Sequence, residues 1–260
     1  MRALAHELRL FFVALQFLSR IPAPRWTGFE PHWLNTCVRH FPLAGAVIGA
    51  AGAVVLWAAQ ALWPPGVAAV LAVAATAWLT AAFHEDGLAD AFDALLGTAG
   101  RVQALAIMKD SRIGSYGATA LILVLGLRTA LLAALLAHGW QFAAAALVAS
   151  HVLARAAAVA LMVLLPYAGD AEHAKAKPLA RAVARRDAVV AAGWCGVPLA
   201  LVWAWGPAGH AAAAAIAAAA VVPAMRRWLD RRLGGYTGDT LGATEQLCEV
   251  AVLLALAAAW

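Results

Sequence analysis

Three aspartates in one short stretch of the chain have the spacing of a metal site. Asp86, Asp90 and Asp93 stand at positions i, i+4 and i+7. If a helix runs through them, each residue turns it by about 100°, so the three carboxylates lie within about 60° of one another on one face. Like charges stacked in this way destabilise a helix, and a divalent cation reverses the effect. Hard oxygen ligands of this kind suit Mg²⁺, whereas the alternative is a solvated acidic helix end. Glu85 is directed about 100° away from Asp86 and is not predicted to be a ligand.

A second segment, residues 108–117, has the composition of a phosphate-binding loop. It contains Lys109, Asp110, Ser111 and Arg112, followed by two glycines that let the backbone approach a ligand closely. Lysine and arginine bind phosphate groups, arginine through a bidentate fork. The alternative is an ordinary basic flank of a membrane span.

A third segment, residues 234–242, is rich in glycine and is predicted to be a loop before the last apolar stretch. Its backbone amides, together with the hydroxyl of Thr237 and the flexible Gly238, suit a phosphate group, and Asp239 is a further candidate metal ligand. The segment lacks the lysine of a P-loop, so it is not a Walker motif.

Two arginines, Arg128 and Arg155, fall inside apolar stretches, where a charge costs about 3 kcal/mol or more and usually marks function. His151 stands four residues before Arg155, on the same helix face. Either each arginine pairs with a buried carboxylate or snorkels, or the two line a cavity that holds an anionic substrate. Glu245, near the start of the last apolar stretch, is predicted to bind substrate together with these two arginines.

The composition identifies the elements that must position these residues. Hydrophobic residues make up 64% of the 260 residues and charged residues 13%, with a mean hydropathy of +0.78. An average soluble domain has about 45–50% and 25%, so soluble nucleic-acid binders, disordered chains and collagen-like chains are excluded. Three cysteines without CxxC spacing indicate neither a disulfide framework nor a zinc site.

The chain is therefore predicted to be an all-α, polytopic integral membrane protein that forms a single domain over residues 1–260. A helix needs about 20 apolar residues to span the bilayer, and residues 8–18 are too short, which predicts an N-terminal interfacial helix. The seven predicted spans are residues 41–63, 66–83, 115–137, 140–165, 188–206, 207–225 and 243–260.

The basic residues lie on one side of this topology. Apart from Arg128 and Arg155, all of them, 17 of 19, fall in the segments outside the spans on that side. The positive-inside rule then places this side, with the candidate site segments, in the cytoplasm, and the net charge of +5 reflects topology more than nucleic-acid binding. The segments concerned are residues 1–40, 84–114, 166–187 and 226–242.

Five short motifs, in this order, resemble the cobalamin synthase family of membrane-bound adenosylcobinamide-GDP ribazoletransferases. Each is short, but together they extend over nearly the whole chain. They are FLSRIPAP at 17–24, FPLAG at 41–45, HEDGLAD at 84–90, MKDSRIG at 108–114 and GYTGDTLGA at 235–243.

The resemblance implies a reaction that joins α-ribazole, or its 5′-phosphate, to adenosylcobinamide-GDP, giving adenosylcobalamin or its phosphate, and GMP. It also implies Mg²⁺ held by aspartates of the motifs. Two positions depart from the family pattern: Glu85 replaces an apolar residue and Ala94 replaces a glycine. The implied metal ligands are Asp86, Asp90, Asp93 and Asp239; the implied catalytic residues are Asp86, Asp90, Asp93 and Arg112; and the implied substrate-binding residues are His84, Lys109, Asp110, Ser111, Arg128, Arg155, Thr237, Gly238 and Glu245.

The resemblance further implies a bacterial inner-membrane protein whose active site faces the cytoplasm. Its expected partners are the small-molecule substrates and the lipid bilayer, with no nucleic acid. Self-association, or association with other late corrinoid enzymes, is a further expectation.

Two other functions remain open at this stage. CDP-alcohol phosphotransferases also use cytoplasmic aspartates, but Asp90 stands here where that pattern has arginine, and its later Gly…Asp…Asp spacing is missing. A secondary transporter would use Arg128 and Arg155 near the membrane midplane, yet the acidic residues of this chain gather at one face.

Overall fold

The computed structural model describes residues 2–169 and 183–258. Most of the predicted loop 166–187 and the last two residues of the predicted seventh span lie outside these ranges. The described chain is helical, with one isolated bridge between Tyr167 and Tyr236. Its helices are α1 (Arg2–Leu18), α2 (Trp33–Thr36), α3 (Phe41–Gln60), α4 (Pro65–Leu79), α5 (Phe83–Leu95), α6 (Arg101–Ile107), α7 (Ser115–Leu136), α8 (Trp140–Leu164), α9 (Arg185–Gly193), α10 (Gly196–Trp205), α11 (His210–Leu233) and α12 (Gly238–Ala257).

The prediction of an all-α membrane protein with about seven spans is confirmed. In the described residues, six helical segments are long and apolar enough to cross a membrane, and the bent pair of α4 and α5 makes a seventh. The six segments are Trp33–Gln60, Ser115–Leu136, Trp140–Leu164, Arg185–Trp205, His210–Leu233 and Gly238–Ala257.

The second span differs from its predicted bounds of 66–83. Its helix ends at Leu79, and the chain turns by 88° into α5, so α5 is a separate helix. The physical cause is the left-handed backbone of two successive alanines, Ala81 (φ 57°) and Ala82 (φ 55°), which no right-handed helix can contain. Thr80 is the C-cap residue of α4, and its hydroxyl donates to the carbonyl of Thr76 in the last turn.

The last span also begins earlier than predicted, at Gly238, so the predicted loop 234–242 is reduced to 234–237. A reciprocal capping box causes this early start, because Thr237 accepts from the backbone N–H of Thr240 and the Thr240 hydroxyl accepts from that of Thr237. Gly234, with φ 70°, ends α11, which begins at His210 and continues eight residues beyond the predicted end of its span at residue 225.

Helices α8 and α12 are the most buried of the six segments and form the centre of the bundle. Close packing of α3 on α8 depends on glycines, because a Cβ atom at Gly45 would lie 2.6 Å from the carbonyl oxygen of His151. The N-terminal helix α1 is amphipathic and packs on α3, with Leu10 and Ala14 buried and Leu4 exposed.

Candidate active site

The three aspartates predicted to share a helix face do so on α5. Asp86 is exposed, and Asp90 and Asp93 are half-buried. Two other residues of the first turn of α5, His84 and Glu85, are directed away from this face and are buried in the bundle. Helix α5 therefore separates an outer acidic row, formed by Asp86, Asp90 and Asp93, from an inner set of polar side chains.

The beginning of α12 packs directly against α5 at Gly87. A Cβ atom at Gly87 would lie 2.8 Å from the carbonyl oxygen of Asp239 and 3.1 Å from its Cα atom. Gly87 is one turn before Asp90 on the same helix, so this contact brings Asp239 alongside the acidic row. The glycine is required at this position because any side chain would push the two helices apart.

Asp93 has a contact that the sequence did not predict. Its Oδ2 atom accepts from the backbone N–H of Gly114 (2.7 Å), and its Oδ1 atom accepts from that of Gly117 (2.8 Å). The carboxylate therefore caps the N-terminus of α7, where a negative charge is favourable. The two glycines that were predicted to let the backbone approach a ligand admit the Asp93 carboxylate instead.

The predicted phosphate-binding loop lies at the start of α7, beside this cap. Its Arg112 side chain is 86% exposed, and its Nε atom donates to Asp110 Oδ1 at 3.0 Å. The hydrogen bond and the charge of Asp110 raise the pKa of Arg112 above its ordinary value. Lys109 and Ser111 are also exposed, so the loop presents its polar side chains to solvent at the edge of the site.

Behind α5, the two intramembrane arginines belong to a buried ionic network. Arg128 Nη2 lies 2.7 Å from Glu249 Oε2, and Arg128 Nη1 lies 2.9 Å from the side-chain oxygen of Gln246 and 3.5 Å from Glu85 Oε1. Arg155 lies 3.3 Å from Glu249. The network thus joins α5, α7, α8 and α12.

The same network holds two buried histidines, His84 of α5 and His151 of α8. His84 Nε2 is 2.9 Å from Glu245 Oε2, which is 3.5 Å from Arg155, and His151 Nδ1 is 2.8 Å from Glu249 Oε1. Of the two explanations for the intramembrane arginines, the structure shows pairing with buried carboxylates. Direct contact of Arg128, Arg155, His84 and Glu245 with a substrate stays a prediction.

The sequence did not predict that Glu85, Gln246 and Glu249 belong to this network. Glu85 was set aside because of its angle on the helix, and that angle is what directs it into the bundle towards Arg128. The available signal was charge balance, because buried arginines require carboxylates at similar depth.

The third motif forms the start of α12. Thr237 is its capping residue and Gly238 its exposed first residue, so the roles predicted for them in phosphate binding stay predictions. The preceding residue, Tyr236, is buried, and this burial raises the pKa of its hydroxyl to about 12.

The acidic row suits Mg²⁺ in its donor chemistry. Proteins usually hold Mg²⁺ through one or two carboxylates, while water and substrate phosphates complete the octahedron. Asp86 and Asp90, with Asp239 alongside, supply such carboxylates, whereas both oxygens of Asp93 already accept backbone hydrogen bonds. Across residues 2–169 and 183–258, no group of three or more His, Cys, Asp or Glu side chains is arranged to hold a metal ion.

The fold and the site define an all-α integral membrane protein with a carboxylate-rich centre, where α12 packs on α5 and α5 caps α7. Residues 10–257 match the family model described as cobalamin-5-phosphate synthase. The chain therefore belongs to the cobalamin-5-phosphate synthase family, and it is an enzyme, a transferase of cobalamin biosynthesis.

Curated relatives extend over the same length. A protein of Leptothrix cholodnii is 52% identical over 262 residues, covering 100% of this chain and 99% of the relative. One of Ralstonia nicotianae is 44% identical over 263 residues, with 99% and 98% coverage, and one of Shewanella amazonensis is 39% identical over 262 residues, with 100% and 99%. All three are named adenosylcobinamide-GDP ribazoletransferase. No solved structure matches the chain.

Proposed function

We propose that this enzyme transfers the adenosylcobinamide-phosphate group of adenosylcobinamide-GDP to α-ribazole or α-ribazole 5′-phosphate. The products are adenosylcobalamin, or its 5′-phosphate, and GMP. The observation that carries the proposal is 52% identity over the full length to a relative named for this reaction. Family membership also favours it over a CDP-alcohol phosphotransferase or a transporter.

The bond changes follow from the substrates. The ribose 3′-oxygen of α-ribazole forms a bond to the phosphorus nearer the corrinoid, and the bond from that phosphorus to the oxygen of GMP breaks. The hydroxyl proton leaves to a carboxylate of the site. Phosphoryl transfer depends mainly on positioning and electrostatic stabilisation, so no nucleophilic serine or cysteine is needed.

The carboxylates of the site are proposed to hold Mg²⁺ through one or two side chains at a time, with Asp86, Asp90 and Asp239 as the candidate ligands and Asp93 beside them. The ion would neutralise charge on the diphosphate and on departing GMP. Arg112 and Lys109, which are exposed, bind phosphate oxygens from the α7 side of the site. To do so, Arg112 replaces its hydrogen bond to Asp110 with one to the substrate.

The buried network has a different task in this proposal. His84 and Glu85 immediately precede Asp86, and both are tied to the bundle, the first to Glu245 and the second to Arg128. These contacts fix the first turn of α5 and so hold the Asp86 backbone in place. Charge distribution supports an inner-membrane location with this site on the cytoplasmic side, because 17 of 19 basic residues were predicted on that side.

The test is GMP release by the purified protein supplied with adenosylcobinamide-GDP, α-ribazole and Mg²⁺. Wild-type protein should release GMP, and a chelator should stop the reaction until Mg²⁺ is added back. The Asp86→Asn variant should lose at least about a hundredfold in kcat, because even an indirect partner of a metal site is worth 10- to 100-fold.

The matched control is Glu30→Gln, which removes an exposed carboxylate whose partner is His32. It should leave the rate unchanged. Turnover of CDP-diacylglycerol, or uptake of substrate into vesicles without GMP release, would contradict the proposal. Near-normal transfer by Asp86→Asn would remove the metal role from Asp86.

A further inference from the structure

A cavity of about 440 Å³ lies between the end of α1 and the bend that joins α4 to α5. Its wall includes Phe17 and Arg20 from the N-terminal segment, and Phe83 and Asp86 from the first turn of α5. This volume is within the range of small-molecule sites, about 300–1,000 Å³. Arg20 therefore lines the same cavity as Asp86. It was not among the site residues predicted from the sequence.

Arg20 is held in place by the backbone of α4. Its N–H donates to the carbonyl of Leu79 and its Nε atom donates to the carbonyl of Trp78, both at 2.8 Å. Its guanidinium carbon also lies 5.6 Å from the centre of the Trp78 ring. Of these contacts, only the hydrogen bond from Nε uses an edge of the guanidinium, and in the described residues the two terminal nitrogens have no hydrogen-bond partner. Two parallel N–H donors of this kind match the oxygens of a phosphate group.

The rest of the wall favours an anion that carries an apolar group. The rings of Phe17 and Phe83 meet edge to face, with 5.8 Å between their centres, and both border the cavity beside the charged side chains. Asp86 repels a free anion, so an anionic ligand there needs Arg20, and any cation bound at Asp86, to offset the charge. A phosphorylated nucleoside has both the phosphate and the planar apolar base that this wall suits.

The bend itself is held in an uncommon conformation. Ala81 and Ala82 border the cavity with consecutive left-handed backbones, which residues other than glycine rarely adopt. Such conformations concentrate at binding and catalytic sites, where the surrounding structure enforces them. Here they turn α5 by 88° and place Asp86 on the same cavity as Arg20.

We infer that Arg20 binds a phosphate group of a substrate in this cavity. The inference rests on the proposed function, and two substrates supply the same chemistry: the 5′-phosphate of α-ribazole 5′-phosphate and the diphosphate of the corrinoid donor. Arg20 is thus a substrate-binding residue that touches the phosphate, and Trp78 and Leu79 position it.

The experiment measures kcat and KM with α-ribazole and with α-ribazole 5′-phosphate, in detergent free of phospholipid so that no lipid phosphate competes. The variants are Arg20→Gln, which can still donate to the carbonyl of Trp78, and Arg20→Lys. The control is Arg25→Gln, an exposed arginine of the same segment that does not border the cavity.

For Arg20→Gln we expect a KM roughly tenfold to a hundredfold higher for the substrate whose phosphate Arg20 binds, which is the worth of a charged hydrogen bond. Arg20→Lys should show a smaller rise and Arg25→Gln none. If the KM rises only for α-ribazole 5′-phosphate, Arg20 binds the phosphate of the acceptor. If the KM of adenosylcobinamide-GDP rises with either acceptor, Arg20 binds the diphosphate of the donor.

Titration calorimetry with α-ribazole 5′-phosphate, and separately with adenosylcobinamide-GDP, separates this inference from the proposed function. If the wild-type protein binds these ligands and Arg20→Gln binds one of them at least tenfold more weakly, the inference holds even where no GMP is released. If the wild-type protein turns over normally and Arg20→Gln matches it in both KM values and in binding, the inference is overturned and the proposed function is unaffected.

Discussion

Arg128 and Glu249 form an ion pair in the interior of the bundle, with 2.7 Å between Nη2 and Oε2 and only 1% of either side chain exposed. The pair connects α7 to α12. Glu249 also contacts His151 and Arg155, so it is the carboxylate at the centre of the buried network. Removing one member leaves an uncompensated charge where water is excluded.

The first prediction concerns this pair. Arg128→Leu should lower the free energy of unfolding by about 3–5 kcal/mol, measured by denaturant titration in mixed micelles, because Glu249 then loses its shortest ionic contact. Glu30→Gln, at an exposed pair, should change it by less than about 0.5 kcal/mol. Unchanged stability with a raised KM would instead favour the predicted direct contact of Arg128 with substrate.

The second prediction separates capping from metal binding at Asp93. Asp93→Ala removes both acceptors for the N-terminus of α7 and should cost about 1–2 kcal/mol of stability. Asp93→Asn retains one acceptor and should cost less. If Asp93 acts mainly as a cap, Asp93→Asn keeps most of the GMP-release rate that Asp86→Asn loses. Equal losses of rate in the two asparagine variants would assign Asp93 to the metal as well.

The third prediction tests the contact between α5 and α12. In Gly87→Ala the new Cβ atom meets the Asp239 backbone, so the helices must separate, at a cost of about 1–3 kcal/mol. Because Asp239 moves away from the acidic row, the affinity for Mg²⁺ in the transfer assay should fall. Gly126→Ala on α7, where a Cβ atom meets nothing within 4 Å, is the control and should preserve both stability and activity. A Gly87→Ala variant with normal Mg²⁺ dependence would argue against Asp239 as a ligand.

The fourth prediction is a pH dependence that arises at Tyr236. Burial raises its pKa to about 12, whereas an unfolded chain has a tyrosine pKa of about 10. The stabilising contribution is therefore complete below about pH 10 and is lost as the pH rises towards 12, since the unfolded state releases the proton first. Unfolding measured at several pH values from 9 to 11.5 should show a shallower loss in Tyr236→Phe than in wild type. Tyr116→Phe, at an exposed tyrosine, should follow wild type.

Much of the fold was predictable because its signals are local. Apolar stretches of about 20 residues identified the spans, and helical periodicity placed Asp86, Asp90 and Asp93 on one face of α5. The bend before α5 was not predictable, because Ala81 and Ala82 have no intrinsic preference for a left-handed backbone. Packing of the surrounding helices imposes that conformation.

The candidate site was predictable as a set of motifs but not as a set of contacts. The motifs around Asp86, Arg112 and Asp239 were recognisable in the chain, and Gly87 does bring Asp239 to α5. The cap that Asp93 provides for α7 depends on the distance between two helices, and the spacing of residues along the chain does not specify that distance. The contribution of Arg20 similarly appears only where α1 ends against the bend.

The sequence by itself determined the class of protein, its number of spans and the face that carries the carboxylates, since hydropathy and helical period act along one segment at a time. Only the tertiary structure decided the partner of each charge. Arg128 is 121 residues from Glu249 along the chain, and the partner of such a charge depends on which helices pack together in the low-dielectric interior. The same packing divided the acidic residues into an outer row suited to Mg²⁺ and an inner network that holds that row in place.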